Sequence, residues 1–206
     1  MTRRVFPHRV TIAILLVLLT GMLPFTVLAQ EAPVRTNIQY FLPFNAQGLV
    51  IGIAVTGRVR GSCFAGSVAD PGRPDAWRCS GTGNQTLDPC FENPYHTTPN
   101  VLACAQTPFD ANVTLLTLTQ PLPTTQVNRV NPAAIPWALE LSNGARCTLL
   151  TGTSILIAGQ RVNYGCTNDG NVLGDPVRGP AVWRAHYFTN TRSSSTTSVD
   201  VVTAWF

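Results

Sequence analysis

Six cysteines, Cys63, Cys79, Cys90, Cys104, Cys147 and Cys166, constrain this chain more than any other feature. Their number is even, and the shortest gap between neighbours is ten residues. Zinc sites usually offer a cysteine pair only about two to four residues apart, and a reactive thiol would normally leave an odd cysteine over. Three disulfides account for the set better, each stabilising by about 2–4 kcal/mol. The spacing alone does not select among the pairings six cysteines allow. Pairing of neighbours, 63–79, 90–104 and 147–166, is the expectation. It is most direct for Cys147 and Cys166, which sit near matching positions of an expected hairpin.

Such a framework needs an oxidising compartment, and the first residues read as an export signal. Arg3, Arg4 and Arg9 precede the apolar run "VTIAILLVLLTGMLPFTVLA", with Val27 and Ala29 as small residues before a cleavage site. Residues 1–29 are therefore expected to be a signal peptide and 30–206 a single β-rich, disulfide-stabilised domain. Membrane contact would then arise only through this segment, if it stayed uncleaved, since about 20 apolar residues can just span a bilayer. Beyond residue 29 the chain has eleven arginines against ten carboxylates and no lysine, a net of about +1. Nucleic-acid binders carry clustered basic faces, and these arginines are scattered singly. Only 12% of residues are charged, against about a quarter in typical globular proteins. A surface of Thr, Ser, Asn, Gln and Gly suits uncharged partners such as glycans, cell wall or another extracellular protein.

Strand-like runs recur and long helical periods do not. "NIQYFLPF" and "GLVIGIAVTGRVRGSC" are rich in β-branched and aromatic residues, and the second reads as buried on both faces near its start. Residues 64–100 are dominated by Gly, Pro, Asn and Asp and read as a long loop pinned by cysteines. "NVTLLTLTQPLP" alternates as a half-buried strand. In "WALELSNGARCTLL", Asn143-Gly144 tolerates the positive φ of a tight hairpin turn. "SILIAGQRVNYGC" reads as a second hairpin, and "AVWRAHYF" with "SVDVVTAWF" as a third pair. The expected fold class is all-β, an antiparallel sandwich or barrel-like meander. A division, if present, falls near 121–133, giving sub-lobes 36–120 and 134–206, the second a five-strand meander.

The stretch "PDAWRCSGTGNQTLDPCFENPYH" gathers the candidate site residues. Asp88, Glu92 and His96 recur every four residues, and a helix there would align them for acid–base hydrolysis. Pro89 and Pro94 interrupt such a helix, so a short turn over 88–93 capped by Asp88 is more economical. Trp77 is expected to pack on a disulfide, while Trp77, Phe91 and Tyr95 together are the candidates for a recognition loop. No close His pair, His-Glu-x-x-His pattern or acidic cluster offers metal ligands, no Gly-x-Ser-x-Gly presents a nucleophile, and nothing calls for a cofactor. "TNDGN" lacks the acidic ligands of a calcium loop and reads as an Asx-Gly turn. "SGTGNQTL", between Cys79 and Cys90, is the candidate for an inhibitory loop.

The combination of "GSCFAGS", "PDAWRC", "DPCF" and "RVNYGC" resembles a group of secreted proteins of high-GC bacteria with no assigned activity. The resemblance runs from about Gly61 onwards and implies an extracytoplasmic bacterial protein, without transferring any site residue. The expectation is thus a secreted or cell-envelope binding protein without enzymatic activity. The alternatives are a secreted hydrolase acting on polysaccharide or cell wall through Asp88, Glu92 and His96, and a disulfide-loop protease inhibitor.

Overall fold

Alternating burial along short strands decides the architecture, because each strand must bury one face and the sheets close to hide their edges. The computed structural model describes residues 35–95, 100–124, 135–153, 155–157, 159–189 and 195–206. No helix occurs among them, and the all-β class is as expected. No helix among the described residues is long and apolar enough to cross a membrane.

The first barrel comprises β2 (Ala54–Gly66), β3 (Ala76–Gly81), β4 (Gln85–Phe91), β5 (Val101–Cys104) and β6 (Asn112–Leu118). Each strand runs antiparallel to the next, and β6 closes on β2 in parallel. That direction follows from parity, since an odd number of alternating strands leaves the first and last pointing the same way. Trp77, Leu87, Leu102, Leu116 and four cysteines form one of its buried clusters.

The second half contains β7 (Ala138–Leu141), β8 (Arg146–Leu149), β9 (Leu156–Ile157), β10 (Gln160–Cys166), β11 (Asn171–Val177), β12 (Trp183–Phe188) and β13 (Thr197–Trp205). Pairing runs β7–β8–β10–β11–β12–β13 and returns from β13 to β7, so six strands form a ring, with β9 flanking β10. The expected five-strand meander lacked β11, whose Gly174 and Pro176 disguise it in the sequence. The N-terminal β1 (Asn37–Gln39) crosses over to pair in parallel with Thr203–Trp205 of β13. Phe41, Phe44, Phe91, Val113 and Trp137 belong to another buried cluster, which draws on β4, β6 and the residue preceding β7.

The expected hairpins are present. Gly144 turns with φ 81° and links β7 to β8, while Asn143 Oδ1 accepts a hydrogen bond from the Ala145 N–H at 3.1 Å. In "TNDGN", Asn168 and Asp169 take φ of 63° and 54°, the mirror-image turn that suits the twist of β10 and β11. All three disulfides follow the neighbour pairing, and each joins residues directly opposed on adjacent antiparallel strands.

Three expectations fail in the first half. Residues 64–100 are not one long loop, because β3 and β4 form a hairpin within them, turning at Gly83 and Asn84 with φ of 78° and 60°. "SGTGNQTL" is that hairpin, so it presents no extended inhibitory loop. The turn over 88–93 is likewise absent: Asp88–Phe91 is strand, the Asp88–Pro89 bond is cis, and Cys90 pairs with both Trp77 and Cys104. Ladder pairing on two sides outweighs the local preference of Asp-Pro for a helix start. Nor is the start of "GLVIGIAV" buried, since Leu49 and Ile51 are 59% and 60% exposed. Gly48 and Gly52, at φ of 72° and 73°, break the extended run before β2 begins.

Candidate functional site

The proposed recognition rings do not share a surface. Trp77 is 4% exposed and packs among the cysteines, as expected for a disulfide neighbour, and its Nε1–H donates to Glu92 Oε1. Phe91 is fully buried, with ring centroids 5.4 Å from Phe41 and 5.8 Å from Trp137. Opposite faces of adjoining strands send these two rings into different cores, so neither is displayed to a ligand. Tyr95 alone of the three is exposed. His96 lies outside the described residues.

The two described carboxylates of the hydrolase triad have separate structural partners. Asp88 accepts a hydrogen bond from Ser67 Oγ at 2.6 Å and from the N–H groups of Val68 and Ala69 at 3.2 and 3.5 Å. Arg78 lies 3.8 Å away. Burial raises the Asp88 pKa above the ordinary carboxylate value, against the lowering effect of those donors. Glu92 is bonded to Trp77 instead. The expected capping role of Asp88 therefore survives in altered form, with the Ser67–Ala69 segment in place of a helix.

A carboxylate that sequence reasoning passed over lies beside this network. Asp70 is fully buried, and neither of its side-chain oxygens has a hydrogen-bonding partner among the described residues. Its N–H donates to Ser67 Oγ, the hydroxyl that donates to Asp88. Burial drives its pKa from 3.8 to about 7; Arg73 opposes the rise, and Asp75 and Asp88 add to it. Arg73 cannot neutralise it fully, because its guanidinium is spent on Asp75, through Nε and Nη2 at 2.8 and 2.6 Å, and on the Phe41 carbonyl at 2.7 Å. A carboxyl titrating near neutrality suits acid–base chemistry, yet no substrate reaches a group with no exposed surface. In the sequence, "ADPG" reads only as a turn, and nothing marks its burial.

The accessible feature is a groove of about 600 Å³ on the outside of the first barrel. Val101 of β5 and Leu115 of β6 line it, Val55 and Arg58 of β2 join them, and Asn93 and Asn100 contribute amides. The Phe44–Val50 arm supplies the remaining lining, held by a bridge between Phe44 and Val50. Asn45 fixes the arm's tip, its Oδ1 accepting from the N–H groups of Gln47 and Leu49. Asn93 Nδ2 ties the tip down by donating to the Gly48 carbonyl at 2.8 Å. The positive φ of Gly48 lets the chain turn back there. Arg58 pairs in register with Leu115, is exposed, and has no ion-pair partner among the described residues. No carboxylate is among its described lining residues. Its residues come from five separated stretches, which is why no sequence motif announced it.

Comparison with protein-family models, with curated proteins and with solved structures finds no match. The three disulfides, with no free cysteine, are the chemistry of a protein of an oxidising, extracytoplasmic environment.

Proposed function

We propose that this is an exported binding or cell-envelope interaction protein without catalytic activity of its own, and that its partner occupies the groove beside the Phe44–Val50 arm. Residues 1–29 act as the signal, and the disulfide-stapled strands work in the secreted or cell-envelope space. The observation that carries this reading is the groove itself. It is concave, mainly apolar, about 600 Å³ in volume and built on a cross-linked barrel, within the about 300–1,000 Å³ usual for ligand sites. Sugar recognition by stacked aromatics is less well supported, because Trp77 and Phe91 are buried. The groove suits an apolar portion of an envelope component or of another extracellular protein.

The test uses the oxidised protein mixed with sedimented cell-envelope material and, separately, with insoluble polysaccharides. Protein in the envelope pellet, a supernatant free of released product, and loss of pelleting in Leu49→Asp are expected. Leu49 is exposed, so the variant should fold normally. Pelleting unchanged in Leu49→Asp would overturn the assignment of the groove. Released product would favour the hydrolase alternative. It would direct attention to Asp88, which also lines a polar cavity of about 210 Å³ with Gln85, Gln106 and Asn112.

A further inference from the structure

The charge pattern of the groove narrows its ligand. Arg73, Arg78, Arg146 and Arg184 each lie within 4 Å of a carboxylate on this chain. Arg58 does not, although it stands on the long strand β2 and its side chain borders the groove. Around it the lining is Val55, Leu115, Val101, Leu49, Val50 and Phe44, with two neutral amides. An arginine is therefore placed against apolar walls with no hydrogen-bond or ion-pair partner among the described residues for its planar, forked donors. Guanidinium matches carboxylate and phosphate oxygens in two-point contacts, and such charge-assisted bonds are stronger than neutral ones.

We infer that the groove binds an amphiphile with a single aliphatic chain and an anionic head, the head on Arg58 and the chain along Val55, Leu115 and Val101 towards the arm. This rests on the groove being the binding site and adds the class of ligand. A cationic amphiphile would bring like charge to Arg58, and a neutral one would leave its donors to water. The shape separates a single chain from a bilayer surface. The arm and the barrel wall flank a half-open trough that an aliphatic chain can enter, whereas a lipid sheet would meet only its rim.

Three probes of equal chain length, each below its aggregation threshold, test the inference by calorimetry on the oxidised protein: decanoate, decanol and decyltrimethylammonium. Decanoate should bind about tenfold or more tightly than decanol, and decyltrimethylammonium least, as one charge-assisted contact would give. Arg58→Gln should bring decanoate down to the affinity of decanol while changing decanol by less than about twofold. Val55→Asp should weaken both. Both positions are exposed, so neither change disturbs a core. Equal affinity for decanoate and decanol in the unaltered protein would overturn the anionic head, as would an unchanged ratio in Arg58→Gln. Binding to vesicles of anionic phospholipid without binding of decanoate would replace the trough with surface attachment and overturn the single chain. If no probe binds while Leu49-dependent pelleting with envelope material persists, the ligand class fails and the binding function stands. If both are lost, both fail.

Discussion

Raising the pH from acid to neutral should loosen this fold, and Asp70 is the reason. In the unfolded chain its carboxyl ionises near 3.8; in the fold burial holds the proton until about pH 7. The folded state therefore binds the proton more tightly, so the contribution is fully present below 3.8 and is lost as the pH rises through 7. At 1.36 kcal/mol for each pH unit between those values, the whole span is worth about 4 kcal/mol, of which about 3 kcal/mol falls between pH 4.5 and 8.5. A domain of this kind is stable by only about 5–15 kcal/mol, so the effect is large. Three charged groups act on Asp70, namely Arg73, Asp75 and Asp88. Arg73 is committed to Asp75, and the two acids oppose ionisation. Asp70→Asn keeps the shape and stays neutral at every pH. Urea unfolding at pH 4.5, 6, 7 and 8.5 should show the unaltered protein losing midpoint by more than about 1 M, given a slope of about 1–3 kcal/mol per molar. The variant should match it at low pH and exceed it at high pH. It should keep a smaller slope of the same sign from Asp88, whose pKa is also raised. A midpoint that is flat or rises with pH in the unaltered protein, or a full slope retained in Asp70→Asn, would refute the reasoning.

Two further outcomes concern the strands themselves. Replacing Cys147 and Cys166 together by alanine should cost about 2–4 kcal/mol in urea unfolding under oxidising conditions, leaving the first barrel's two bridges intact. Gly61→Ala should destabilise by about 1–3 kcal/mol or more, because a β-carbon there would collide with the Ser80 carbonyl where β2 and β3 pack closely. Near-neutral stability in that variant would mean that the pairing of Gly61 with Gly81 is looser than described.

Much of the second half was legible in the sequence because local chemistry and global pairing agree there. Asn143-Gly144 and the "TNDGN" turn demand positive φ, the alternating runs beside them supply strands, and Cys147 and Cys166 then fall opposite each other. The first half was harder to read for the converse reason. Gly, Pro and Asn around β3 and β4 signal loops, and only pairing with β2 and β5 makes strands of them. The apolar run after Gly48 looked like core, yet glycine turns carry Leu49 and Ile51 out beside the groove. The burial of Asp70 and the isolation of Arg58 have no local signal at all. Both depend on which distant residues arrive next to them, Asp88 in one case and Leu115 in the other.

The crossover of β1 sets the order in which this molecule can be completed. Asn37–Gln39 can find its partner only when Thr203–Trp205 is available, and the Phe41 N–H likewise waits for the Phe206 carbonyl. Thr36 ties the same seam, donating to the Val201 carbonyl and accepting from the Trp183 N–H. β1 thus remains unpaired until β13 has been made. A chain knitted in this way is sewn shut from its two ends, and the seam closes only once both are present.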